Sequence, residues 1–123
     1  MKQNRAYFFD MDGVLYDSMP HHAIAWEEVM KAHGLCFTAR DCYINEGRTG
    51  ESVIREAFQK LLGRDATPDE VKTIYAEKSA YYHRVVNTAT PTIPGVAEVL
   101  QFVKDSGSQI WVVTGSGTRT LLD

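Results

Sequence analysis

The stretch that decides the reading is "AYFFDMDGVLYDS", residues 6–18. A short apolar and aromatic run, Ala6–Phe9, passes straight into two aspartates one residue apart and then a glycine. Continuous rather than alternating apolar character marks a strand buried on both faces, as in a parallel sheet. Carboxylates at the end of such a strand cost free energy unless something uses them. Residues two apart in an extended backbone project to the same side, so Asp10 and Asp12 point together.

A second run of this kind, Ile110–Val113 in "QIWVVTGSG", also ends at a polar residue followed by glycine, Thr114 and Gly115. Ligands of parallel α/β sheets bind outside the carboxyl ends of the strands. If the two strands are neighbours, Asp10, Asp12, Thr114 and the amides of Gly115 and Ser116 converge on one crevice. Glycine allows close approach of a ligand to the backbone. The start of a helix predicted from Thr118 favours an anion. Two carboxylates in one site repel; a divalent cation relieves this, and hard oxygen donors suit Mg²⁺. The set reads as phosphate chemistry. One aspartate is a nucleophile and the other moves a proton, while a hydroxyl and amides hold phosphoryl oxygens.

The same residues admit other readings. Asp12-Gly13 is a hairpin signal, but Pro20 and a helical pattern arrive before a second strand could. A calcium loop with Gly13 at its sixth position would put Phe8 and Met19 where carboxylates belong. "GSGTRT" has Thr120 where a dinucleotide turn needs its third glycine. Taken alone, Asp10 and Asp12 also fit a solvated turn.

Between the two strands the pattern is helical. "SMPHHAIAWEEVMKAHG" has Pro20 in a first turn and Gly34 at its end, with Ala23, Trp26, Met30 and His33 on one face. A short helix follows Thr38. "TGESVIREAFQKLLG" runs from near Thr49 to Gly63, with Val53, Ile54, Ala57, Phe58 and Leu61 on one side. "TPDEVKTIYAEKSAYYHRVV" opens with a capping box, Thr67 to Glu70. Val71, Ile74, Tyr75, Lys78, Tyr81, Tyr82 and Val85 spiral along it. "NTATPTIPG" is a linker, and "VAEVLQFVKDSG" is an amphipathic helix closed by Gly107. The last helix is the crossover that parallel strands require. The helical block is too long for an ordinary loop and reads as an inserted subdomain.

The remaining bounds come from composition. The chain has 123 residues, 44% hydrophobic and 24% charged, an ordinary globular balance. A net charge of −3 offers no basic field for nucleic acid. No apolar run approaches the ~20 residues of a membrane span. The two cysteines, Cys36 and Cys42, read as reduced thiols in a cytoplasmic protein. Two strands do not make a stable parallel sheet, and the pattern opening at Thr118 stops after one turn. The chain therefore reads as a fragment, or as one whose missing strands come from elsewhere. Its exposed sheet edge invites self-association.

"FFDMDGVLYDS" resembles the first motif of the haloacid dehalogenase-like (HAD) superfamily, and "IWVVTGSG" resembles its second. The resemblance implies a Rossmann-like parallel-sheet core, only partly present here in residues 1–18 and 88–123. Residues 19–87 would form an inserted α-helical cap. It implies Asp10 as nucleophile, forming an aspartyl phosphate, and Asp12 as the acid and then base. Mg²⁺ would be held by the Asp10 carboxylate and the Asp12 main-chain carbonyl. Thr114 would bind phosphate. An acid at position 12 sets the chain apart from the dehalogenase branch.

The cap looks most like the β-phosphoglucomutase and phosphoglycolate phosphatase subgroup. His22 matches a mutase histidine near the hinge, and Lys78 a cap lysine facing the site. A helix-surface histidine and a solvated lysine are the plain alternatives. Asp17 is expected to tie the hinge turn. Gly50 stands where mutases carry an arginine for a second phosphate. Arg48, two positions earlier, could meet an anionic substrate tail. The family's later lysine and acidic pair have no match in these 123 residues, so the chain alone is expected to be inactive or nearly so. The expected function is a Mg²⁺-dependent phosphatase of a small phosphorylated metabolite. A sugar phosphomutase is the alternative, and a non-catalytic binding or assembly module is the alternative of another class.

Overall fold

The computed structural model describes residues 5–85 and 90–115. Its elements run β1 (Ala6–Phe9), α1 (Met19–Ala32), α2 (Ala39–Ile44), α3 (Gly50–Leu62), α4 (Pro68–Val85), α5 (Val96–Asp105) and β2 (Gln109–Val112). The chain divides into two compact units. The described residues of one are 5–18 and 90–114, and residues 19–85 fall in the other. No helix among the described residues is long and apolar enough to cross a membrane.

The first unit is α/β. β1 and β2 pair in parallel, with Ala6 opposite Gln109 and Phe9 opposite Val112. β2 begins one residue before the expected run. Val113 still donates its amide to Phe9 O at 2.8 Å, so the ladder reaches the predicted end. α5 precedes β2 and packs against it, its buried side chain being Val103. Gly107, at φ +73°, turns the chain from helix to strand. The continuous apolar runs predict that both strands are buried. They are largely exposed instead, because the described residues place two strands and one helix where a parallel sheet needs cover on both faces.

The second unit is helical, and its ends are set by local chemistry. Thr38 and Asp41 form a reciprocal capping box: Thr38 N donates to Asp41 Oδ2 at 2.8 Å, and Asp41 N to Thr38 Oγ1 at 3.4 Å. Thr49 caps α3 through Ser52 N at 3.3 Å, and Gly63 ends it in the left-handed region. Thr67 and Glu70 cap α4 in the same reciprocal way. The core joins Trp26, Val29, Met30, Val53, Ile54, Phe58, Val71 and Ile74. Three expected core positions differ. His33 lies beyond the end of α1, where Gly34 at φ +74° turns the chain, and its Nε2 meets Glu77 Oε2 at 2.6 Å. Leu61 and Val85, each in the last turn of its helix, are exposed.

Glu70 also takes a two-pronged contact from Arg64, at 2.7 and 2.9 Å. The Arg64 hydrogen bonds, then the Thr67 amide, hold its carboxyl down from 4.5 to about 2. A carboxylate whose pKa is depressed in the folded state stabilises fully above the unfolded value, and that contribution is lost as pH falls through the folded one. Thermal melts of the native chain and Glu70→Gln should therefore differ above about pH 5. The gap should close between about pH 4.5 and pH 2. A pH-independent gap would assign the effect to shape rather than charge.

Gly50 opens α3 beneath the ring of Tyr75. A Cβ built there would run into the Tyr75 ring at Cε2 and Cδ2, well inside contact distance. Alanine ordinarily improves a helix over glycine by about 1 kcal/mol. Here Gly50→Ala should destabilise by about 1–2 kcal/mol in urea denaturation, because the ring must move. Tyr75→Ala in the same chain should remove the penalty of the added methyl.

Candidate active site

The Asp10–Ser18 loop is built on alternation. Asp10 is exposed, Met11 is buried and Asp12 is half-buried, so the two acids lie on the side away from the Met11 anchor. Met11 O gathers the amides of Leu15 and Tyr16 at 3.0 and 3.1 Å. This curls the chain back, and Gly13 supplies the positive φ of +74° that the curl needs. Gly13 N closes it on Tyr16 O at 2.8 Å.

Both acids are oriented by short hydrogen bonds. Asp10 Oδ1 accepts from Met11 N at 2.7 Å. Asp12 Oδ1 accepts from Ser18 Oγ at 2.5 Å, and Ser18 is fully buried. Sequence reasoning did not assign Ser18 this role. The signal was a hydroxyl closing the motif at the start of a helix.

Residues 15–17 pair with residues 91–93. Tyr16 bridges Thr92 in antiparallel fashion, Ile93 N donates to Leu15 O at 3.0 Å, and Asp17 N donates to Pro91 O at 2.8 Å. The tie expected of Asp17 thus runs through its main chain.

Thr114 follows β2. One step past the last ladder pair stand Asp10 and Val113, and two steps past stand Met11 and Thr114. Asp10, Asp12 and Thr114 therefore share the carboxyl edge of the sheet. Gly115 is grouped with the helical unit. Ser116, and the helix expected from Thr118, lie outside the described residues.

In the helical unit the structure brings two other candidates together. Lys78 Nζ lies 2.8 Å from His22 Nδ1, and both side chains are buried. The His22 ring stacks on Tyr82 at 4.2 Å. The ammonium lies 5.2 Å from the centre of the Trp26 ring and 5.0 Å from that of Tyr82. Aromatic faces stabilise a partly desolvated cation. With Lys78 charged, Nδ1 accepts and the imidazole proton sits on Nε2. His22 and Trp26 are four apart on α1, and Lys78 and Tyr82 four apart on α4, a spacing that puts each pair on one helix face. Burial pushes the nearby Cys42 thiol up to about 11, against the opposing pull of Lys78. Arg48 is held by Asn45 Oδ1 at 3.0 Å and by an ion pair with Glu56.

Among the described residues no three or more of His, Cys, Asp or Glu gather as a metal cage. Mg²⁺ does not require one. It commonly keeps several waters and takes one or two carboxylates with substrate phosphate. The exposed Asp10 carboxylate at the end of β1 fits that mode.

The loop and the strand pair set Asp10, Asp12 and Thr114 at the carboxyl end of a parallel sheet. The chain belongs to the haloacid dehalogenase-like hydrolases, whose family model matches residues 4–122. It is 30% identical to the phosphorylated carbohydrates phosphatase of Thermotoga maritima, over 96% of this chain and 53% of that protein. It is 26% identical to a phosphoglycolate phosphatase of Haemophilus influenzae, over 90% of this chain and 51% of that one. Among solved structures, a "Putative beta-phosphoglucomutase" from Bacteroides vulgatus superposes with a TM-score of 0.88 at 41% identity, over 97% of this chain and 48% of the other. The chain spans about half the length of the curated relatives it matches.

Proposed function

We propose that this chain carries the nucleophile half of a phosphatase acting on a small phosphorylated carbohydrate or sugar acid. The observation that carries the reading is Asp10 and Asp12 at the end of β1, beside Thr114 at the end of the adjacent parallel β2. A carboxylate oxygen of Asp10 attacks phosphorus, and the bond from phosphorus to the ester oxygen breaks. Asp12 gives that oxygen a proton, so the products of this step are the free alcohol and Asp10 as an acyl phosphate. Asp12, now a carboxylate, takes a proton from water as the water oxygen attacks phosphorus. The bond between phosphorus and Asp10 oxygen breaks, releasing inorganic phosphate. The Ser18 hydrogen bond keeps Asp12 aimed through both steps. Thr114 donates its hydroxyl to a phosphoryl oxygen. Mg²⁺, held by the Asp10 carboxylate and Asp12 carbonyl, would offset the charge that gathers on the phosphoryl oxygens. The helical unit serves as a cap, opening and closing about the paired linkers. The unpaired cysteines fit a reducing cytoplasm.

A sugar phosphomutase is the second reading, favoured by the name of the 41%-identical Bacteroides vulgatus protein. Two observations weigh toward the phosphatase. Gly50 has the Tyr75 ring where a side chain would stand, and Arg48 is engaged with Asn45 and Glu56. The test is phosphate release from a panel of sugar phosphates, with and without a sugar bisphosphate. Hydrolysis that a bisphosphate does not accelerate supports the phosphatase; interconversion of isomers that depends on it supports the mutase.

A further inference from the structure

The helical unit holds an open cavity of about 490 Å³ between the first turns of α3 and the first half of α4. Small-molecule sites run from about 300 to 1,000 Å³. Its lining is of three kinds. Val71 and the Tyr75 ring, both on α4, form an apolar wall. The ring packs across the start of α3 because Gly50 has no side chain to displace it. Arg55 and Lys72 bring one cation from each helix, and Glu51 brings a carboxylate.

The two cations are held differently. Arg55 is fixed: its Nε donates to Glu51 Oε1 at 2.9 Å and its Nη1 to Ala66 O at 3.1 Å. Lys72 is exposed, and among the described residues no carboxylate pairs with it. Two cations against one acid leave the cavity positive, in a chain whose net charge is −3.

We propose that this cavity binds a phosphorylated sugar, with the phosphate between Arg55 and Lys72 and the sugar ring against Tyr75. Each part of such a ligand meets a wall of matching chemistry. The guanidinium and the ammonium take phosphate oxygens by charge-assisted hydrogen bonds. The C–H face of a sugar ring packs on the aromatic face. Glu51 Oε1 takes both Arg55 contacts, which leaves Oε2 to accept from sugar hydroxyls. An inorganic anion would leave the Tyr75 wall uncovered, and a neutral sugar would leave Lys72 without a counter-charge. The inference rests on the lining of this cavity and not on the Asp10 chemistry.

The test is a titration of the 123-residue chain with glucose 6-phosphate, glucose and inorganic phosphate, followed by amide chemical shifts in nuclear magnetic resonance. With glucose 6-phosphate the amides of Gly50, Glu51, Val71, Lys72 and Tyr75 should shift and saturate, with a Kd of about 1 mM or below. Glucose and inorganic phosphate should each bind at least about tenfold more weakly. Lys72→Gln should weaken binding of glucose 6-phosphate about tenfold, and its exposed position leaves the fold undisturbed. Tyr75→Leu should weaken it about fivefold. Asp10→Asn should bind as the native chain does, so loss of binding and loss of hydrolysis are read separately. No shifts on α3 and α4, equal affinity for inorganic phosphate, or an unchanged Kd in Lys72→Gln overturns the proposal.

Discussion

Asp10→Asn lowers phosphate-ester hydrolysis by the protein about 10⁴-fold or more, while the melting transition of the chain stays where it was. The two halves of this expectation have separate causes. An amide nitrogen or oxygen cannot attack phosphorus as a carboxylate does, so the covalent route closes. The fold has no comparable stake in the charge. Asp10 is exposed, and its contact is one accepted hydrogen bond from Met11 N, which the amide oxygen of asparagine also accepts. Rates on p-nitrophenyl phosphate and on an alkyl phosphate, with a thermal melt of each variant, make the measurement.

Asp12→Asn is the necessary companion. It should slow the alkyl phosphate far more than the p-nitrophenyl ester, because only the alkyl leaving group needs a proton. It should also leave phosphate on Asp10 long enough for detection by mass spectrometry after acid quench. If Asp10→Asn and native protein turn over equally, Asp10 is a solvated turn residue and the proposed mechanism is wrong. If both substrates respond equally to Asp12→Asn, the acid lies elsewhere.

The second large effect is on stability. Ile54→Ala should cost the helical unit about 2–5 kcal/mol, read from urea denaturation followed by circular dichroism. Ile54 has no exposed surface and sits in the cluster with Val53, Phe58 and Ile74. Truncation removes buried methyl groups and leaves a cavity that the rest of the cluster, held in place by its own packing, fills poorly. Leu61→Ala, seven residues on, should change stability by less than about 0.5 kcal/mol, since Leu61 is 43% exposed. A cost for Leu61→Ala equal to that for Ile54→Ala would mean that the end of α3 is covered in solution. Helical spacing alone puts these two residues on the same side of one helix, and the tertiary fold separates them.

That separation marks how much of the molecule is legible in the amino-acid order. The chain end of β1, the caps at Thr38, Thr49 and Thr67, and the turns at Gly34, Gly63 and Gly107 all follow from rules acting over a few residues. A hydroxyl finds an amide three positions on, a capping carboxylate answers it, and a glycine takes a positive φ. The carboxylate pair is legible for the same reason, since alternation along an extended backbone sets Asp10 and Asp12 on one side and Met11 on the other.

What only the tertiary structure decided are contacts between residues far apart in the chain. These include the one-residue shift of β2, the pairing of residues 15–17 with 91–93, the Lys78–His22 contact and the Tyr75 ring over Gly50. They also include the exposure of Leu61, Val85 and His33, and of strands whose apolar composition predicts burial. Local propensity is settled by the energies of neighbouring dihedrals and hydrogen bonds. Which apolar side chain is dry depends on what else packs there, and no window along the sequence contains that information.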